Sequence, residues 1–324
     1  MAKEVADPKR IVFMGTPSFG VPVLRRLVEE GYDVVAVITQ PDRPSGRGRT
    51  MTQSPVKVIA TQLGLPVLQP ERVRKRDFIE QLRALQPAAI VVAAAGQILP
   101  RDLLEMAPLG AINVHGSLLP ELRGAAPIAE AIARGHQSTG ITIMLMDEGM
   151  DTGPILAQRR VDIRPDDTSE SLGSRLAEVG ADLLVEVLPR WARGEIKPRQ
   201  QDNSAATYTK PLSKEDGHID WRQAAEDIER RCRAYSPWPG CYAYWDGKMV
   251  KVLRVRILPE WSGPEEPGTV VLTTKSGVDQ TRWPAVATGR GALILEELQL
   301  EGRRVVTGPE FVRGSRGFIG ARLG

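Results

Sequence analysis

The chain is short of the residues that usually advertise chemistry. Its 324 residues include two cysteines and three histidines. Cys232 and Cys241 are too few for a disulfide framework. No CxxC or HExxH pattern occurs, so no bound metal is expected. No apolar run approaches the ~20 residues that cross a bilayer. The opening MAKEVADPKR lacks the apolar core of a secretion signal, so a cytoplasmic protein with no membrane partner is expected. A net charge of +3 is too small to establish a nucleic-acid partner. The basic excess sits weakly in residues 206–324, with 18 basic against 15 acidic residues. The glycine pattern GTPSFG (15–20) is neither GxGxxG nor GxxxxGK[ST]. It disfavours dinucleotide or triphosphate binding and reads as a tight strand-to-helix turn.

What is present is alternation. RIVFMG (10–15), DVVAVIT (33–39), AAIVVAA (88–94), AINVH (111–115) and GITIMLM (140–146) read as strands apolar on both faces. Helices are expected over 19–30, from an N-cap at Ser54 and Pro55 to about Leu63, near 76–85 and over 127–134. Residues 167–194 read as one or two amphipathic helices. This order predicts an α/β fold, a doubly wound, mostly parallel Rossmann-like sheet covered by helices. Residues 195–214 are polar, and a linker is placed at 195–210 between a domain of residues 1–194 and one of residues 211–324. The second domain begins with a helix near 221–234. Short strands follow, with an Asp246-Gly247 hairpin turn, and predict a β-barrel of oligonucleotide-binding type. No internal repeat is present.

Asn113 and His115 lie two residues apart at the end of AINVH, so their side chains share one face. In open α/β sheets, sites form beyond the carboxyl ends of strands. Asp151 lies in MDEGMDTGPIL, the loop after 140–146, which is expected to leave the sheet at the same end. An Asn amide can stabilise a developing oxyanion, and an Asp can orient a His. No Ser or Cys sits in a nucleophile elbow, so the trio suits acyl transfer to an external nucleophile. A packed histidine beside two turn formers would leave the same pattern, and spacing alone does not separate the two. QPDRPSGRGRT (40–50) holds Arg43, Arg47 and Arg49 with one acid. It fits a phosphate clamp and a solvated loop equally. His136 and His218 read as surface residues, and SPWPG (236–240) as a turn with a packing Trp.

These words resemble the methionyl-tRNA formyltransferase family, a branch of the folate-dependent formyltransferases, nearly end to end. The matching stretches are FMGTPSFGVPVLRRL, TQPDRPSGRGRTMTQSPVKVIA, AAAGQILP, INVHGSLLPELRGAAPI, GITIMLMDEGMDTGPIL, LSKEDGHIDW and SPWPG. INVHGSLLP and MDxGxDTG are shared across folate-dependent formyltransferases and carry the chemistry. The Arg loop and the C-terminal words point to initiator tRNA. The resemblance implies transfer of a formyl group from 10-formyltetrahydrofolate to the α-amine of initiator methionyl-tRNA, for translation initiation; a monomer is expected. It places the catalytic Asn, His and Asp on Asn113, His115 and Asp151. It places folate contacts on Ser117, Leu118, Leu119 and Pro120, and the tRNA-facing basic loop on residues 40–57 with Arg43, Arg47 and Arg49. Ala95 stands where the family usually has Tyr. Glu121 and Leu122 stand where it usually has a basic and an aromatic residue. The alternatives are a formyltransferase for a nucleotide-sugar or glycinamide amine, and a formyl-folate hydrolase.

Overall fold

The computed structural model describes residues 7–45, 50–258, 261–274 and 282–324. They form two compact units. The first comprises the described residues within 1–127, 138–162 and 172–209, and the second those within 128–137, 163–171 and 210–324.

The first unit opens with β1 (Arg10–Gly15), α1 (Gly20–Glu29) and β2 (Asp33–Ile38). A short hairpin, β3 (Arg43–Ser45) and β4 (Thr50–Thr52), precedes α2 (Pro55–Gln62). Ser54 caps α2 by accepting from Lys57 N, and Pro55 occupies the first turn, where a missing N–H costs nothing. Next come β5 (Val67–Leu68), α3 (Arg76–Ala84), β6 (Ala89–Ala93), α4 (Arg101–Leu104) and β7 (Ala111–His115). The chain continues through β8 (Arg123–Gly124), α5 (Pro127–Ala133), β9 (Ser138–Leu145), β10 (Ile155–Asp162), α6 (Ser169–Ala192) and β11 (Tyr208–Thr209), with residues 128–133 of α5 and 169–171 of α6 grouping with the second unit.

The seven-stranded sheet runs β10-β9-β7-β6-β1-β2-β5. From β5 to β7 every pairing is parallel. β9 is antiparallel to both β7 and β10. The expectation of a carboxyl-end exit for the Asp151 loop is therefore corrected. Leu145, at the end of β9, pairs with Ile112 near the start of β7. β10 completes a hairpin that the apolar-run reading had not singled out.

Which face carries the site follows from the core. Val12, Met14, Ile90, Val92 and Ala111 pack with Ile79 and Leu82 of α3 and Leu103 and Leu104 of α4. Val92 pairs with Asn113 in adjacent parallel strands, so Asn113 and His115 face this side. Val114 faces the other side, where a Cβ on Gly180 of α6 would approach it to 2.8 Å. α6 is a single helix and buries Leu172, Leu176, Leu184 and Leu188.

The stretch expected as a linker reads differently in space. Residues through Thr209 group with the first unit. There β11 pairs with β8.

The second unit contains α7 (Ala225–Ala234), β12 (Cys241–Trp245), β13 (Lys248–Leu258), β14 (Val270–Thr274), β15 (Arg282–Ala287), β16 (Ala292–Leu300), β17 (Val306–Thr307) and α8 (Gly308–Gly314). The antiparallel sheet runs β12-β13-β16-β15-β14, with β17 on β16. Asp246 and Gly247 both take positive φ, 51° and 73°, which a two-residue turn with the strands' own twist requires. Residues 321–324 bridge the edges. Val270 N donates to Ala321 O, Leu323 N donates to Gly268 O, and Tyr244 and Gly324 exchange backbone hydrogen bonds. The ring is thus closed through this segment, and Phe311, Phe318 and Trp245 cluster against one another. Trp238 of SPWPG is 54% exposed, so it is not the packing residue expected of that turn. His218 is exposed and His136 half-buried.

Candidate active site

β7 ends in two polar residues that no apolar core would tolerate without partners. Asn113 and His115 are 8% and 6% exposed. Their partner is Asp151. Asn113 Nδ2 donates to Asp151 Oδ1 at 3.4 Å, and His115 Nδ1 lies 3.7 Å from Asp151 Oδ2. The three residues expected to meet do meet, on the α3 and α4 face of the sheet.

The site is braced by the strap that follows β7. His115 Nε2 lies 3.1 Å from Leu122 O. A carbonyl only accepts, so Nε2 carries a proton. Nδ1 is then left to face Asp151, with a lone pair or with a second proton that the carboxylate would receive. Leu122 takes φ 57° and is buried, an uncommon conformation for a branched residue. The strap is fixed by the segment leading into β11. Leu122 N donates to Thr207 Oγ1 at 2.8 Å, and Arg123 N to Thr207 O at 2.9 Å.

Asp151 itself takes φ 53°. Its Oδ2 accepts from Gly124 N at 2.8 Å. Its backbone carbonyl accepts from Gln201 Nε2 at 2.8 Å, and Gly153 O accepts from the same amide at 2.7 Å. Gln201 Oε1 in turn accepts from Arg123 Nε and Nη2. Sequence reasoning had missed Gly124, Arg123 and Gln201. Arg123-Gly124 directly follows the two unusual residues Glu121 and Leu122, so an Arg-Gly pair in a strap beside a candidate histidine was a usable signal. Gln201, in a polar stretch without periodicity, gave none.

The stretch Ser117–Pro120 is only partly turned toward solvent. Ser117 and Leu119 are buried. Ser117 Oγ donates to Glu121 O, and Ser117 O accepts from Thr142 Oγ1. Leu119 packs with Met144 and Ile155. Leu118 and Pro120 are half-buried. Ala95 packs partly buried against the core, and Glu121 is exposed. Ile98, in the loop after β6, is 89% exposed.

Of the basic loop, Arg43 is exposed at the start of β3. Arg47 and Arg49 lie outside the described residues. At the loop's root, Lys57 Nζ donates to Asp42 Oδ2 at 2.6 Å and Gln69 Nε2 to Asp42 Oδ1 at 2.8 Å. These hydrogen bonds hold the Asp42 carboxyl below the usual range.

Among the described residues no group of three or more His, Cys, Asp or Glu could hold a metal ion. No helix among them is long and apolar enough to cross a membrane.

An amide donor, an imidazole and a carboxylate on one sheet face, with the nearby hydroxyls of Ser117 and Thr142 donating to backbone carbonyls, are the equipment of a group transferase that moves a small acyl unit between bound partners. The chain belongs to the formyl transferase family: residues 9–188 match the formyl transferase domain and residues 211–316 its C-terminal domain. It is a one-carbon transferase. It is 50% identical to the methionyl-tRNA formyltransferase of Chloroflexus aurantiacus over 305 residues, 94% of this chain and 96% of that one. It is 47% identical to the methionyl-tRNA formyltransferase of Citrifermentans bemidjiense over 315 residues, 97% of this chain and 96% of that one. Among solved structures, HypX from Aquifex aeolicus in complex with tetrahydrofolic acid matches with TM-score 0.64 at 18% identity, over 95% of this chain and 48% of that one. An N-formyltransferase from Helicobacter canadensis, in complex with folinic acid and dTDP-3-aminofucose, matches with TM-score 0.62 at 17% identity, over 88% of this chain and 98% of that one. At such identities these two structures speak for the fold alone.

Proposed function

We propose that the chain transfers a formyl group from 10-formyltetrahydrofolate to the α-amino group of initiator methionyl-tRNA, in the cytoplasm. The observation that carries this reading is Asp151, placed between Asn113 Nδ2 at 3.4 Å and His115 Nδ1 at 3.7 Å, in a chain half identical to methionyl-tRNA formyltransferases over nearly its whole length.

The donor supplies an activated formyl carbon. The site fits it chemically: the Asn113 amide, with one hydrogen on Asp151, has a second N–H to offer a formyl oxygen, and half-buried Leu118 and Pro120 offer apolar surface to a ring system. The acceptor amine attacks as the free base, which its ordinary pKa of about 7.7–8.0 allows near neutrality. Asn113 donates to the formyl oxygen as negative charge builds there, while His115, its Nε2 held by Leu122 O and its Nδ1 facing Asp151, keeps the carboxylate in place. Asp151 holds His115 and, through a water, carries the proton lost by the amine toward the departing nitrogen. With no covalent nucleophile, holding the two substrates together supplies much of the rate. Arg43, Arg47 and Arg49 clamp phosphates of the tRNA, and the closed antiparallel sheet of the second unit adds further tRNA surface.

The test uses labelled 10-formyltetrahydrofolate and methionyl initiator tRNA. Label in the methionyl ester is expected. Label released as formate would mean a hydrolase. Transfer only when an amino sugar or glycinamide is supplied would replace the acceptor.

A further inference from the structure

We propose that Gln201, gripped by Arg123, is a positioning residue that fixes Asp151 for the reaction, so that the polar segment before β11 belongs to the active site. This inference rests on the catalytic reading of Asp151 given above.

Arg123 is 1% exposed. Among the described residues, every acceptor that its guanidinium reaches is neutral. Nε and Nη2 both donate to Gln201 Oε1, at 3.1 and 2.8 Å. Nη2 also donates to Asn203 Oδ1 at 2.8 Å, and Nη1 to the Tyr208 hydroxyl at 3.4 Å. A buried cation is costly to hold, and its demand for acceptors pins whatever supplies them. Gln201 is pinned completely. Its oxygen takes the guanidinium, and its two amide hydrogens go to Asp151 O and Gly153 O. Flipping the amide would set NH2 against a cation and oxygen against two carbonyls, so the orientation is forced by the network.

What Gln201 holds is a residue in an unfavourable shape. Asp151 has φ 53°, a region that a non-glycine residue enters at a cost and keeps only where its surroundings insist. The two donations from Gln201 fall on either side of the Asp151–Gly153 turn. They set the backbone from which the carboxylate reaches Asn113 and His115. The segment 201–209 also braces the strap at Leu122, whose carbonyl fixes the other end of His115. One polar segment thus sets both members of the His115–Asp151 pair.

The discriminating substitution is Gln201→Glu in the full-length protein. It keeps the shape and gives Arg123 a carboxylate, but it turns an acceptor toward the carbonyls of Asp151 and Gly153. The expected result is a fall in kcat of about 10–100-fold, the scale seen where a supporting layer of hydrogen bonds orients reacting groups. KM for both substrates should stay near its original value, because the loss falls on the reacting state rather than on binding. A merely structural role would not predict the second result. In an Asp151→Asn background, Gln201→Glu should cost nothing further, since the residue it positions is already disabled. Where Gln201→Glu lowers solubility, Asn203→Ala removes one acceptor from Arg123 and should give a smaller fall with the same dependence on Asp151. The proposal is overturned if Gln201→Glu leaves kcat intact while Asp151→Asn does not, or if the two losses multiply. If Asp151→Asn itself keeps full activity, the catalytic reading of Asp151 falls first and takes this inference with it.

Discussion

The backbone N–H of Gly124 donates to Oδ2 of Asp151 at 2.8 Å, from a residue at φ 111°. A side chain is excluded there twice over. That φ suits glycine, and a Cβ would lie 2.3 Å from the backbone oxygen of Thr209, which cannot swing away like a side-chain tip. Gly124→Ala should therefore pull β8 off β11 and draw the donor away from Asp151. Loss of turnover together with a lowered unfolding midpoint in urea is expected. An alanine variant with unchanged midpoint and unchanged turnover would show that the Gly124–Asp151 bond is dispensable.

Asn113 is the group proposed to meet the charge on the formyl oxygen. Removing one oxyanion donor typically costs about 10²–10³ in turnover. Asn113→Ala should show that loss with KM for the acceptor tRNA little changed, since the donor acts when charge develops. Turnover within about threefold of the original, where an oxyanion donor should cost at least a hundredfold, would assign the role elsewhere.

How much of this could be read from residues alone depends on distance along the chain. The α2 cap is local: Ser54-Pro55 sits next to what it starts, and it was legible. Asn113 and His115 were legible because strand alternation fixes their common face without any tertiary information. The direction of β9 was not, because an apolar run reads the same whichever way its strand lies in the sheet. That hid the course of the loop that carries Asp151. Arg123 and Gln201 are 78 residues apart, and only the fold brings them together. The barrel closure by residues 321–324 is of the same kind, since its backbone bonds carry no side-chain signature.

Ser54 tests the local part of the fold. Its Oγ accepts from Lys57 N at 3.1 Å and lies 2.7 Å from the hydroxyl of buried Thr39. Ser54→Ala leaves an orphan N–H at the helix start and strips Thr39 of its shortest partner. A loss of about 1 kcal/mol, within the usual 0.5–2 for such caps, is expected from urea unfolding. Because α2 leads back from the basic hairpin, the same variant should keep normal KM for the formyl donor. A stability change below about 0.3 kcal/mol, under the range for caps, would mean that the cap is not formed in solution.

Tyr32 should mark the alkaline limit of the fold. Burial, aided by the charge of Glu30, pushes its hydroxyl up to about 12. The folded chain thus holds this proton more tightly than the unfolded one, whose tyrosines titrate near 10. The contribution is complete below about pH 10 and is lost as the pH rises toward 12. Tyr32→Phe should flatten the stability curve in that window and delete a late step from the tyrosinate absorbance titration. An unaltered titration would show that Tyr32 ionises with the ordinary tyrosines.

The basic loop offers a cleaner electrostatic test than net charge does. Asp42 is the single acid in QPDRPSGRGRT, and it is occupied by Lys57 at 2.6 Å and Gln69 at 2.8 Å. Its carboxylate is thus taken up by these two partners, and Arg43 beside it is exposed. Phosphate binding releases counterions, so affinity should fall steeply with salt, and each arginine removed should flatten that dependence by about one unit of slope. Arg43→Ala and Arg47→Ala should each raise KM for tRNA at low salt while leaving kcat at saturating tRNA near its original value. The formyl donor should titrate normally in both. If tRNA titrations at several salt concentrations superimpose on those of the unaltered protein, the loop is a solvated turn and the tRNA is held elsewhere.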